Sequence, residues 1–417
     1  MIRRVLPIVT AALAVQLSLA AGAVPLRPYA ANPGDDEMVE MNRAIPGFGG
    51  LFYDADGYPN VYLTDPEAKV AVGQLKSLGD VRILRGDFEF ARLVEWRKSL
   101  RPALGQPGVV FLDVDEARNR VVIGVDATRK ALIDRARLEK AVADRGIPGE
   151  AVVIQEVAPL REIGLDEVTE VQIPKRRAAS ANLQGVVRPV PGGVQIYWTG
   201  HLCTVSFNAF LGSDFGFVTN SHCSDRRGEV DGTLYSQSLP GDGPIASEIA
   251  DPEYAVGGDC PAGRKCRFSD SAFARYDSSK TGALAKVAKT SSKGRTTGSL
   301  TIKPAAARFT VKSKGGAAAG QLVNKVGRSS GWTYGTITNT CVDVSSSATE
   351  FTLFCQHIVQ AGSDGGDSGS PVFSVTKGSN VKLLGILWAG GSGSDGPIFA
   401  FSPIESVEGE LGALRSY

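Results

Sequence analysis

Asp364-Gly365-Gly366-Asp367-Ser368-Gly369-Ser370-Pro371 is the stretch on which the fold reading turns. Glycines on both sides of one serine let the backbone turn sharply and pass close to other atoms, where a side chain would block it. Pro371 then opens a β-rich run to Val375, which puts the serine at the mouth of a strand rather than inside a helix. Toward the N-terminus two further segments share this character. Phe217-Val218-Thr219-Asn220-Ser221-His222-Cys223 is a β run that ends at a histidine beside a cysteine. Arg267-Phe268-Ser269-Asp270-Ser271-Ala272-Phe273-Ala274-Arg275-Tyr276 sets an aspartate at the opening of an apolar strand. The polar residues stand in the order His, Asp, Ser, 48 and then 98 positions apart.

Each residue type has a chemical reason. A serine hydroxyl is a weak nucleophile, so an imidazole must take its proton and later hand it to the leaving group. A carboxylate behind the imidazole fixes its tautomer and stabilises the cation that forms. The backbone N–H groups of Gly366 and Ser368 can converge on a developing oxyanion, and such donors are worth about 3–4 kcal/mol of barrier each. Gly369 omits a side chain that would obstruct a substrate. A lone histidine beside a cysteine is ordinarily structural, and Gly-Asp-Ser-Gly alone can be a plain turn. The two together, in this order, point to chemistry. His201 and His357 lack such a setting and read as surface or structural residues. Asp251, Asp259 and Asp277 compete with Asp270, but only Asp270 directly precedes a small and apolar strand with alanine two places on.

Around these segments short β-rich runs recur, with Gly, Ser and Asn between them. They are Val194–Trp198, Cys203–Leu211, Gly216–Thr219, Ala272–Tyr276, Phe309–Ser313, Gln321–Val326, Thr333–Val344, Glu350–Val359, Pro371–Val375, Val381–Trp388 and Pro397–Phe401. Many short strands at this spacing argue for an all-β sandwich or barrel. One helix closes the chain: Ser402 is its expected cap, Pro403 fits the first turn, Glu405 completes a capping box, and Ile404, Val407, Leu411 and Leu414 share a face. Between Asp277 and Asp343 there is no acid but eleven Lys and Arg, read chiefly as solvated outer faces of strands.

Further toward the N-terminus the texture changes. Residues 24–180 carry 47 charged residues in 157 and no Cys or His, whereas 181–417 carry 40 in 237 and every Cys and His. That fall in charge density sets a boundary near Pro174-Lys175-Arg176-Arg177-Ala178-Ala179-Ser180, which also has the look of an exposed processing site. The first body reads as α/β. Gly108–Val114 and Arg120–Asp126 form a hairpin, Thr128 caps a helix to about Arg145, and Ala151–Val157 returns as a strand. Asp54-x-Asp56-Gly57 lacks the other positions of a calcium loop. Residues 1–23 have the form of a secretory signal: Arg3 and Arg4, an apolar run from Val5 to Ala20, then Ala21-Gly22-Ala23. No later apolar run is long enough to cross a bilayer. An exported chain with six cysteines reads as disulfide-bonded, and their spacing fits no zinc site. The net charge of +1 excludes a global polyanion binder, hence no nucleic acid.

The order and motifs resemble the chymotrypsin-like (trypsin-like) serine proteases, particularly the secreted bacterial branch of streptogrisin and α-lytic protease. Thr219–Cys223 is similar to that family's histidine signature, Gly366–Pro371 to its serine signature and Ser269–Tyr276 to its aspartate strand. Lys325–Trp332 with Gly335-Thr336-Ile337, and the ending Phe399–Ile404, resemble the bacterial branch specifically. The resemblance covers roughly 190–417, and the serine motif is its most specific part. It implies two six-stranded antiparallel β-barrels with the cleft between them. It implies His222 as general base, Asp270 as its orienter, Ser368 as nucleophile, and Gly366 with Ser368 as the oxyanion hole. Gly362, Trp388 and Gly390 are the implied substrate-binding positions, in an open pocket. The family's cysteine pair maps onto Cys203 and Cys223. Cys260 with Cys266 and Cys341 with Cys355 are the short-range pairings left, on proximity alone.

This sequence also departs from the family. Relatives carry a serine near Leu387–Ala389 that supports the triad carboxylate, and Gly385–Gly390 has none. No Ile-Val-Gly-Gly start is present to supply the terminal amine that pairs with this position in the animal enzymes; the resemblance to the bacterial branch implies an arginine partner for Asp367 instead. The expectation is a secreted serine endopeptidase of 181–417, without cofactor or metal, acting on polypeptides and monomeric after processing. Residues 24–180 would be its pro-region, a folding assistant and inhibitor. The alternative is a binding or adhesion protein on the same fold with an idle triad.

Overall fold

The computed structural model describes residues 35–162, 181–277, 282–303, 308–346, 348–393 and 395–417. The expected signal and the boundary cluster Pro174–Ser180 lie outside these residues. Among the described residues no helix is long and apolar enough to cross a membrane.

The first body is α/β. Phe48–Tyr53, Pro59–Leu63 and Arg82–Arg85 form one small sheet, and the helices Asp35–Ala44 and Phe90–Ser99 bury Met38, Met41, Leu93 and Val94 against its apolar residues. The hairpin Val109–Asp115 with Arg120–Asp126 forms at the expected place, and Val152–Val157 adds to it in parallel. The helix between them is shorter than expected: only Arg135–Ala143 is α-helical, after a 3-10 turn at Lys130–Leu132. Thr128 is not the cap, because its hydroxyl is drawn back to Asp126 at 2.6 Å. Asp134 caps instead, accepting from the Arg137 amide. Asp54 makes a local turn, its carboxylate taking Asp56 and Tyr58 amides, Asn60 and Arg82.

The second body is mostly strand. One antiparallel sheet runs in the order His201–Thr204, Gln195–Trp198, Leu234–Ser236, Pro244–Ala250, Ala272–Tyr276, Asp214–Thr219, Asn208–Leu211, Leu414–Arg415. The run expected over Cys203–Leu211 is broken in two at residues 205–207. In the other sheet Phe351–Gln360, Gly396–Pro403, Asn380–Gly393, Pro371–Lys377, Leu322–Gly327 and Gly331–Ser345 pair in turn, and the last pairs back with the first. Those six antiparallel strands therefore close on themselves. Phe217 and Phe273 of the first sheet, Phe207 from the break beside it, and Val326, Phe373 and Ile386 of the second sheet fill a shared core. The closing helix is Ile404–Leu411 and buries Ile404, Val407 and Leu411, while Leu414 lies in the strand beyond it. Ser402 belongs to the preceding strand and caps nothing; Pro403 holds the N-cap position, without a side-chain bond.

The two bodies share a sheet. Val109–Asp115 joins the edge of Gly331–Ser345, with Leu112 opposite Asp343 and Phe111 opposite Val344. A second join is shorter: Arg161–Glu162 pairs antiparallel with Gly390 and Ala389. Buried charge accompanies the first. Arg97 and Arg101 both reach Asp343, the latter at 2.8 Å, and Arg97 also pairs with Asp35. Asp113 accepts from Asn339 at 2.7 Å, and Glu116 accepts from Thr340.

Candidate catalytic site

Strand register brings His222 and Asp270 together. Asp214–Thr219 and Ala272–Tyr276 run antiparallel with Thr219 opposite Ala272, so the residues after one and before the other leave the sheet at the same end. His222 lies in a 3-10 turn, Ser221–Cys223, three places past Thr219. Asp251 braces that turn: it accepts from Ser221 Oγ at 2.7 Å, from the Gly228 amide at 2.9 Å and from Arg267 at 2.8 Å. Ser368 comes from the other sheet, in the loop before Pro371–Lys377, and the Thr204 amide holds its carbonyl at 2.8 Å across the junction.

The side chains form one chain of hydrogen bonds. His222 Nε2 is 2.8 Å from Ser368 Oγ, and Nδ1 is 2.5 Å from Asp270 Oδ2. The His222 amide donates to Asp270 Oδ1 at 3.0 Å, so both carboxylate oxygens are used on one residue. All three side chains are buried in the full chain. Burial alone would raise the Asp270 pKa. The imidazole beside it and their hydrogen bond outweigh that, helped by the charges of Arg227 and Arg267, and hold it well below the usual carboxylate range. Asp270 therefore stays ionised throughout the range in which an imidazole can act as a base.

Arg227 and Arg267 bear on the serine absent from Leu387–Ala389. Ser402 Oγ, donating to Gln356 at 2.8 Å, accepts from the Asp270 amide at 3.1 Å. It fixes the backbone of Asp270, whose carboxylate bonds His222 and feels Arg227 and Arg267 only through their charge. No spacing rule in the sequence marks Ser402, Asp251 or Arg227 for this neighbourhood.

The nucleophile loop is pinned by close packing and by one ion pair. Gly366 and Gly369 have φ of +85° and +89°, where a side chain is strained, and a Cβ on Gly369 would lie 2.1 Å from the Thr204 carbonyl oxygen. Asp367, between them, is paired with Lys325 at 2.6 Å and not with an arginine. It also accepts from the Ser329 amide at 2.9 Å and from Ser330 Oγ at 2.5 Å. Arg328, the nearby arginine, lies against Gly366 and bonds Gln195 and Ser329. Lys325 is thus the exception to the reading of the basic segment as solvated faces: it is fully buried. Burial would raise the Asp367 pKa, and the Lys325 ammonium overcomes it and keeps the acid low. Lys325→Ala leaves that charge buried and unpaired, which costs about 3–5 kcal/mol. A urea midpoint within error of the parent's would refute the pairing as a structural tie.

The implied substrate positions differ in setting. Gly390 is paired with Arg161 of the first body. Trp388 is buried among Phe111, Leu160, Ile358 and Ile398. Gly362 does not open a pocket: a Cβ there would lie 2.0 Å from the Thr296 carbonyl oxygen, so chain already fills the space its side chain leaves. Cys203 is bonded to Cys223, Cys260 to Cys266 and Cys341 to Cys355. Cys203, His222 and Cys223 are the one group among the described residues spaced as metal ligands could be, but both sulfurs are in a disulfide and both ring nitrogens are taken. His357 is structural: it is buried, its Nδ1 accepts from the Cys341 amide at 3.0 Å, and burial lowers its pKa to about 4. His201 packs against Trp198.

No protein-family model matches this sequence, and no curated protein matches it. Among solved structures it is similar to a glutamic acid specific serine protease, at 22% identity and a TM-score of 0.41, over 55% of this chain and 100% of that one. It is similar to Thermobifida fusca Protease A at 25% identity and 0.38, over 54% and 97%. It is similar to Cellulomonas bogoriensis chymotrypsin at 20% identity and 0.38, over 55% and 98%. These neighbours are bacterial chymotrypsin-like serine proteases. The TM-scores are low, and function is argued from the geometry of the site.

Proposed function

We propose that the chain is a secreted serine endopeptidase made as a proenzyme, with residues 181–417 as the protease and 24–180 as its pro-region. The observation that carries this reading is the continuous hydrogen-bond chain Ser368–His222–Asp270, made from three loops of two different sheets. A structural histidine needs one partner; this one has a nucleophile on one nitrogen and a buried carboxylate on the other. The six cysteines, all paired, fit an oxidising compartment, as the signal-like residues 1–23 do.

In the reaction Ser368 Oγ attacks the peptide carbonyl while His222 Nε2 takes its proton. The negative charge that develops on the carbonyl oxygen faces the N–H groups of Gly366 and Ser368. His222 then gives the proton to the leaving amine, and the acyl group remains on Ser368. Water enters, His222 takes its proton in turn, and the acid leaves with Ser368 restored. Asp270, kept ionised, stabilises the imidazolium in both halves. No cofactor has a step to perform.

Labelling of Ser368 by a fluorophosphonate in the processed protein is the direct test. Absence of label, with His222 intact, would sink the enzyme in favour of a binding protein with an idle triad.

The buried acids at the join make the stability of the full chain pH-dependent. Burial, with the Asp115 charge, pushes Asp113 up; burial and the Asp113 charge push Glu116 up; burial raises Asp35 to about 6 against the pull of Arg97. Acids whose pKa is raised in the folded chain hold protons there that they release on unfolding. Their stabilisation is full below the usual carboxyl range and is lost as pH rises through the raised values. The urea midpoint of a Ser368→Ala chain is expected to fall between about pH 5 and about pH 9, and Asp113→Asn to flatten that fall. A midpoint that rises over this window contradicts the assignment.

A further inference from the structure

Arg161–Glu162 of the first body pairs with the strand that runs beside the nucleophile. Asn380–Gly393 runs beside the nucleophile: Leu387 bonds the Gly369 amide and the Ser370 carbonyl, the two residues after Ser368. Two places on, Ala389 stands opposite Glu162, and Gly390 opposite Arg161. This strand is only Arg161–Glu162, and Leu160 lies just before it. Leu160 is buried against Trp388, Ile358 and Ile398. Glu162 is held by Arg227, with Nη1 to Oε1 at 2.7 Å and Nη2 to Oε2 at 2.8 Å. Arg161, between them, is exposed.

Arg227 is built for this contact. It stands in the turn five residues past His222, and its guanidinium lies 4.3 Å from the ring centre of Phe351 on the second sheet, so it reaches across beside the triad. Phe351 is backed by Tyr254, ring centres 4.7 Å apart. With the guanidinium held over the Phe351 ring, its two terminal nitrogens meet the Glu162 carboxylate through two bonds, the fork geometry that suits a carboxylate. When the first body leaves, Arg227 loses Glu162, its one carboxylate partner in direct contact among the described residues.

We propose that Arg227 is a specificity-determining residue, forming a subsite for an acidic side chain that Glu162 fills in the full chain and a peptide substrate fills afterwards. The preferred substrate class is a peptide with an acid two residues after an apolar one, the pattern Leu160-x-Glu162. This rests on the endopeptidase reading above.

The test is cleavage of a peptide library that contains matched Leu-x-Glu, Leu-x-Gln and Leu-x-Lys members, scanned along the positions before the cut. At one position Glu is expected to exceed Gln by about tenfold or more in kcat/KM, chiefly through KM, as loss of a charge-assisted bidentate bond implies. Arg227→Gln should bring that ratio close to one, and Arg227→Glu should turn the preference toward Lys. Ratios are compared because Arg227 also lies near Asp270, where its loss lowers all rates together. A ratio within about twofold at every position, or one unchanged in Arg227→Gln, overturns the proposal. A second readout needs no catalysis. In the full Ser368→Ala chain, Glu162→Gln and Arg227→Gln should each speed amide exchange at residues 160–162 by about tenfold or more. Unchanged exchange refutes the carboxylate clamp whether or not the protein is an enzyme. Faster exchange in a protein that cleaves nothing and takes no fluorophosphonate overturns the endopeptidase reading and the substrate preference with it, leaving the clamp as an interface contact.

Discussion

Ser368→Ala and His222→Ala are each expected to lower kcat by about six orders of magnitude, and the double variant to be hardly worse. The non-additivity follows from the geometry. At 2.8 Å, Ser368 Oγ and His222 Nε2 are two ends of one proton transfer, so removing either removes the same step. Asp270→Asn should cost less, about four orders, because the ring remains but is held as the wrong tautomer. Its backbone contacts, Ser402 Oγ to the amide and Asn220 to the carbonyl, do not depend on the carboxylate, so the variant should fold. The measurement is hydrolysis of a peptide substrate after the link near Lys175–Ser180 has been cut by an added protease and residues 24–180 have been removed, the same treatment being given to the parent. Losses that add in the double variant would contradict a shared mechanism.

How much of this site could be read in the sequence follows from how local each signal is. His222 and Ser368 sit in short motifs where glycine and strand residues are dictated by the backbone within a few positions. Asp270 needed only the strand after it, and Thr219 opposite Ala272 supplies the reason: two strand ends in register deliver both side chains. The residues around them were not legible, because each is brought in by packing over long separations. Lys325 reaches Asp367 across 42 residues and Ser402 reaches Asp270 across 132. Nothing in a run of lysines distinguishes the one that is buried. The arginine expected beside Asp367 has the right charge and the wrong residue, since the sequence offers Lys325 and Arg328 three places apart and only packing selects between them. The helix ends failed for a related reason. Thr128 and Ser402 both have capping side chains, but each finds a better partner, Asp126 in one case and the catalytic neighbourhood in the other. Local propensity proposed the caps, and tertiary hydrogen bonds overrode them.

Residues 181–417 made without residues 24–180 are expected to collapse to an inactive state, and adding 24–180 in trans to restore activity and then suppress it. Two effects lead to this. The strand pairings of the second body are largely non-local, so loop-closure entropy is spent before the contacts that repay it form, and unaided folding is slow. The join also supplies what the second body lacks alone. Asp343 is fully buried, and the side chains paired with it in charge, Arg97 and Arg101, both come from the first body. Without them Asp343 loses both charge partners; in the full chain, where it is buried, losing both costs about 3–5 kcal/mol, a large part of the stability of any domain. Val342, Val344, Leu353 and Trp388 would also lose the cover of Phe111, Val122 and Leu160. Arg97→Ala with Arg101→Ala in the full chain should therefore reproduce part of the defect, whereas substitution of exposed Arg92 on the same helix should not. Suppression after folding follows from the second join, where Arg161–Glu162 occupies the strand beside Ser368. Refolding of 181–417 alone from denaturant, at a yield equal to that of the full chain, would take the folding role away. The first body would then act only as a cover, and Arg97 and Arg101 would measure how tightly that cover is held.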